Sequence, residues 1–153
     1  HSIYEIPIIL SKAGLDEIIL KRFCIDKPAC SLADWEELIN VIRSPDGEIT
    51  IGVVGKYSEL QDAYKSVDEA LMHGGYSFGK KVLVKKIAAE EIERNPAILK
   101  SVEGILIPGG FGSRGMEGKI LAAQYAREHN IPFLGICLGL QCAAGKCHQG
   151  GHR

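Results

Sequence analysis

The period of the apolar positions changes along this chain, and the change divides it. Leu15, Ile18, Ile19 and Phe23 fall on one helical face, in a segment that follows Ser11 and Gly14. Leu32, Trp35, Leu38, Ile39 and Ile42 repeat at the same spacing, with Ser31 placed as an N-cap and Asp34 three residues later. Ser44-Pro45-Asp46-Gly47 then marks a turn. Residues 1–46 therefore read as a helical leader or linker that contributes nothing to a sheet. Beyond the turn, short β-rich runs at 49–54, 81–87, 102–107 and 132–136 alternate with helical patterns. The helices are expected at 62–73, closed by Gly74-Gly75, and at 115–129, with a short acidic helical stretch that Asn95-Pro96 breaks. Repeated strand-helix units predict an α/β architecture with a mostly parallel sheet and helices on both faces. Residues 142–153 are glycine-rich, lack an apolar repeat, and are expected to be irregular.

Composition narrows the partners. Hydrophobic residues make up 46% and charged residues 24%, an ordinary balance for a globular domain. A formal net charge of -1 gives no reason to expect nucleic acid or an anionic membrane surface as a partner. No apolar run approaches the length that crosses a bilayer. Five cysteines is an odd number, which argues against a complete disulfide framework and for a reducing cytoplasm. The start at His1-Ser2, without a methionine, is expected of a piece of a longer protein.

The chemistry concentrates in two loops. The apolar run Pro132-Phe133-Leu134-Gly135-Ile136 ends at Cys137, with Gly139 two residues further on. A nucleophile between glycines at this spacing is the pattern of a strand-to-helix elbow, which lifts the side chain off the sheet toward the positive end of a helix. The second loop, 108–114, also follows a strand directly, so both fall at the carboxyl edge of the sheet, where parallel sheets hold their sites. Gly110-x-Gly112-x-x-Gly115 matches a dinucleotide fingerprint, but the place of its ribose-binding acid is taken by Ile136 and Cys137. The same glycines expose backbone N–H groups. With the N–H of Leu138 and one near Gly110 or Phe111 holding an oxyanion, Cys137 is set up for acyl transfer through a thioester.

A general base is missing from this pattern. His73 and His129 lie toward the opposite edge of the sheet, and no Asp or Glu follows Glu128 to orient His148 or His152. Cys142, Cys147, His148 and His152 have short zinc-like spacings, but the two pairs abut with no folded span between them, and no metal site is assigned. Arg114 and Glu117, at the start of a helix, read from the residues alone as a solvated capping charge pair.

Together these motifs resemble the class I glutamine amidotransferase domain of CTP synthases. The resemblance runs from Ile3 to Gln141. It is carried by Ile3-Tyr4-Glu5-Ile6-Pro7, Val54-Gly55-Lys56-Tyr57, the loop Pro108-Gly109-Gly110-Phe111-Gly112-x-Arg114-Gly115-x-Glu117-Gly118-Lys119, and Phe133-Leu134-Gly135-Ile136-Cys137-Leu138-Gly139-Leu140-Gln141. It implies a flavodoxin-like sheet over 47–141, preceded by the 1–46 linker from a synthetase domain and followed by an atypical tail at 142–153. It also implies that Cys137 is the nucleophile for glutamine hydrolysis, with Leu138, Gly110 and Phe111 at the oxyanion and Gln141 binding substrate. Arg114 and Glu117 match a loop tied to activation by GTP. The family's ammonia passes to the synthetase domain, where ATP and magnesium serve the amination of UTP, in a cytosolic homotetramer. The family continues past the Gln141 position with further strands and a His-x-Glu, for which this chain has its glycine-rich tail. The resemblance therefore implies a truncated or frameshifted domain, inactive alone, with no cofactor of its own and an exposed sheet edge. A competing reading is a non-catalytic flavodoxin-like module that holds a nucleotide at the 109–115 loop.

Overall fold

The structure is a computed structural model that describes residues 2–28, 30–56, 64–110 and 114–149, with side chains to Ala144. It falls into two compact units, His1–Asp46 and Gly47–Arg153. The first is helical. A 3-10 turn at Ile3–Glu5 leads into α1 (Ile6–Lys12), then α2 (Leu15–Arg22) and α3 (Ala33–Arg43). The turn and α1 carry no long repeat of their own, and the apolar pattern did not separate them. Pro7 sits in the first turn of α1, where its missing N–H costs nothing. Ser31 stands one residue too early to cap α3. Leu32 takes the N-cap position, and the Ser31 hydroxyl accepts from the Ala33 N–H at 3.4 Å. Trp35 Nε1 donates to the Tyr4 carbonyl and Arg43 Nη2 meets Glu5 Oε1 at 2.6 Å, tying α3 to the entry turn. The apolar stripe of α2 forms as expected, yet Leu15, Ile18, Ile19 and Phe23 are all exposed.

The second unit is the sheet. Strands β1 (Glu48–Gly55), β2 (Lys81–Ala88), β3 (Gly104–Ile107) and β4 (Phe133–Gly135) pair in the order β2-β1-β3-β4, every pair parallel. Helices α4 (Lys65–Tyr76), α5 (Ala89–Arg94), α6 (Met116–Glu128) and α7 (Leu138–Gln149) connect or follow them. Alternation along the strands serves two cores. Val54, Ile87, Ile105 and Ile107 bury one face with Ile92, Ala122 and Ala126 of α5 and α6. Val53 and Leu106 bury the other beneath Tyr64, the N-cap of α4, and Val67 and Leu71 within that helix. This is the α/β, flavodoxin-like arrangement with helices on both faces.

Two element ends differ from expectation. Gly74-Gly75 does not close α4, which runs on to Tyr76, before Gly79 takes a left-handed φ of 66°. Gly75 is required for contact instead, because a Cβ there would stand 2.5 Å from Val82 Cγ2 and 2.8 Å from the Lys80 carbonyl oxygen. Residues 62 and 63 of the expected helix lie outside the described residues. The start of the tail is not irregular, since α7 continues to Gln149. Leu138 and Cys142, one turn apart, are both buried and form an inward stripe too short to stand out as a repeat. Among the described residues β4 has β3 as its one neighbour, and Leu134, Ile136 and Leu140 are exposed.

Candidate functional site

Cys137 occupies the bend between β4 and α7 with φ at 52°, in the left-handed region that residues with a Cβ seldom enter. The bend is held from both sides. Ile136 N–H donates to the Ile107 carbonyl at 2.9 Å, while the Gly139 N–H donates to Ile136 and the Gln141 N–H to Cys137. The flanking glycines are obligatory. A Cβ on Gly135 would fall 2.5 Å from the Gly139 carbonyl carbon, and one on Gly139 would fall 2.1 Å from the Ile107 carbonyl oxygen. The spacing that marked the elbow in the sequence is thus the packing requirement of a helix seated directly on two strands. The Cys137 side chain is exposed.

The glycine loop meets the elbow. A Cβ on Gly109 would stand 3.5 Å from Cys137 Cβ, and one on Gly110 would stand 3.9 Å from Leu138 Cδ2. Gly110, Cys137 and Leu138 are therefore brought together, Leu138 being buried. Gln141 lies one turn along α7 and is exposed. Phe111 lies outside the described residues. Tyr57 of the resemblance, and the Cys147, His148 and His152 side chains of the metal reading, do too.

Arg114 and Glu117 do not pair as a capping couple. Arg114 Nε binds Glu90 Oε1 at 2.6 Å across to α5, and Glu117 is exposed in the first turn of α6. That hydrogen bond holds the Glu90 carboxyl below its ordinary range. No local signal pointed to Glu90, which lies 24 residues from its partner.

Lys119 and Cys142 are buried behind the elbow. Burial pushes the Lys119 ammonium down and the Cys142 thiol up, and each is partly offset by the other's charge. Cys142 Sγ contacts Met116 Sδ at 3.4 Å, so this thiol packs between α6 and α7. Lys119 belongs to the quoted motif, but nothing in the linear pattern marked it as buried. Among the described side chains, His73 and His129 stay away from this edge. His129 caps the far end of α6 and stacks on Tyr125 at 3.9 Å, and His73 sits near the end of α4, 3.9 Å from Glu69. A helix the length of α6 separates its ends by about 20 Å.

An exposed cysteine on a strained strand-helix bend, beside a glycine loop at the carboxyl edge of a parallel sheet, defines the class of α/β proteins built around an elbow thiol. Within that class, the family model for class I glutamine amidotransferases matches residues 59–149, and the chain belongs to that family. Among solved structures it is similar to the CTPS (CTP synthase) glutaminase domain of Trypanosoma brucei with bound acivicin, at 39% identity and a TM-score of 0.56. That likeness covers 62% of this chain and spans 38% of the trypanosome chain. No helix among the described residues is long and apolar enough to cross a membrane.

Proposed function

We propose that the Gly47–Arg153 unit is the nucleophile-bearing part of a CTP synthase glutaminase. The observation that carries the reading is the left-handed Cys137 wedged between two glycines that tolerate no Cβ. Cys137 Sγ attacks the side-chain carbonyl of glutamine, forming the S–C bond. The oxygen that gains charge is met by the N–H of Leu138 and an N–H of the Gly110 region, Phe111 included by the resemblance. Collapse breaks the C–N bond, releases ammonia and leaves a γ-glutamyl thioester, which water cleaves to glutamate and free thiol. Gln141 contributes to glutamine binding.

Proton transfer in both halves needs a base oriented by a carboxylate. No Asp or Glu follows Glu128 in these 153 residues. A polypeptide of these residues alone therefore performs the attack without sustained turnover. In the whole enzyme, ammonia would pass to a synthetase domain using ATP and magnesium to convert UTP to CTP. The 1–46 helices would serve as its linker, and Arg114 and Glu117 would take part in activation by GTP. A cytoplasmic homotetramer completes the proposal.

Acivicin, the compound bound in the trypanosome domain, is the test. Intact-mass analysis should show one adduct, at Cys137, that Cys137→Ala abolishes, while steady glutamine hydrolysis stays several orders of magnitude below that of an amidotransferase with its base. Labelling confined to other cysteines, together with saturable nucleotide binding that Cys137→Ala leaves unchanged, would overturn the reading in favour of a nucleotide-binding module.

A further inference from the structure

The carboxyl edge of the sheet holds a buried charge that the proposed reaction does not use. Lys119, the fourth residue of α6, is 2% exposed. A Cβ on Gly110 would stand 4.0 Å from its Nζ, so the ammonium lies directly behind the loop that faces Cys137 and Leu138. Three other groups act on it: Cys142 from α7, Lys56 after β1, and Glu90 from α5. Glu90 is engaged by Arg114, Lys56 adds like charge, and burial favours the neutral thiol at Cys142. Among the described residues the Lys119 ammonium makes no hydrogen bond or ion pair, while its backbone N–H donates to the Gly115 carbonyl at 3.2 Å.

A lysine here works against the fold. Desolvation disfavours its charge, and the positive end of its own helix does as well. An apolar side chain of similar length would fill the same space without either cost. The charge therefore serves something other than packing, and the nearest feature is the glycine loop.

We propose that Lys119 is a positioning residue that charges the anion-binding face of the elbow, with its ammonium behind Gly110 favouring an anion beside Cys137. In the glutaminase reading, on which this last identification rests, that anion is the oxyanion of the tetrahedral intermediate.

Competing alkylation of the 153-residue chain by iodoacetate and iodoacetamide, read by peptide mass, tests the proposal. The ratio of the two products at one cysteine cancels thiolate fraction and access, and reports local potential. Cys137 should prefer the anionic reagent by about threefold or more relative to exposed Cys24, an effect the size of one poorly screened charge nearby. Lys119→Met should abolish the preference and Lys119→Arg should keep it. In the parent chain the preference should also decline as pH rises and Lys119 loses its proton, a readout that needs no variant to fold. Equal ratios at Cys137 and Cys24, or a preference that survives Lys119→Met, would overturn the proposal. Failure of acivicin to label Cys137 with the ratio intact would remove the glutaminase reading and leave the charged loop standing.

Discussion

Gly139→Ala adds one methyl group where the structure has no room for it. The new Cβ would stand 2.1 Å from the Ile107 carbonyl oxygen and 2.9 Å from both the carbonyl carbon and Cβ of the same residue. Relief requires α7 to withdraw from β3 by about 1 Å, because close-packed interiors offer no neighbouring void to absorb the atom. Ile107 cannot yield, being fully buried, and its carbonyl holds the Ile136 N–H at 2.9 Å. Overpacking of this kind costs about 1–3 kcal/mol, and disturbing the Ile136 bond adds about 1 kcal/mol. With a urea slope of about 1.5–2 kcal/mol/M, a loss of about 3 kcal/mol lowers the unfolding midpoint by about 1.5–2 M. Far-UV circular dichroism in urea measures this directly. The same displacement tilts the first turn of α7, so acivicin labelling of Cys137 should slow in buffer where the variant is still folded. A midpoint within about 0.3 M of the parent would refute the reasoning, since it would mean α7 is not seated on β3 as described.

The paired glycines of α4 should respond with opposite signs. Gly74→Ala meets nothing within 4 Å and should stabilise by about 0.5–1 kcal/mol, whereas Gly75→Ala strikes Val82 and the Lys80 carbonyl and should destabilise. Urea midpoints of the two variants check this. Cys137→Gly removes a Cβ from a left-handed residue, so it should abolish labelling while raising stability by about 0.5–1 kcal/mol, measured in the same titration. Burial pushes Lys119 down, so between its folded pKa and the ordinary lysine value of about 10.4 the unfolded chain binds more protons, and stability rises with pH. Lys119→Met should therefore be more stable than the parent at neutral pH. Its advantage should shrink as pH climbs toward 10, which urea midpoints taken across pH will report.

Much of the fold is legible along the chain because it is local. β-Rich runs of five to seven residues, separated by helical spacings, mark all four strands within a residue or two. The two principal helices of the leader carry stripes plain enough to read. Reading fails where a residue serves a contact rather than its own element. Gly74-Gly75 has the composition of a helix stop, yet Gly75 exists to let α4 approach Val82 and Lys80. The chain after Gln141 is rich in small residues and looked irregular, yet Leu138 and Cys142 anchor a helix there by packing inward, Cys142 against Met116. Arg114 three residues before Glu117 suggests a local pair, and α5 supplies Glu90 instead.

The same division runs through the site. The Gly135-x-Cys137-x-Gly139 spacing, and its position at the end of an apolar run, were enough to single out one of five cysteines, because a strand-helix elbow is written in consecutive residues. Linear order could not say why those glycines are needed, which thiol is exposed, or that a lysine lies buried behind the loop. Those facts depend on Ile107 meeting Gly139, and on Gly110 meeting both Leu138 and Lys119. Each joins segments that only the pairing of parallel strands brings within contact, and burial and charge are set by such neighbours rather than by the residues alongside in the chain.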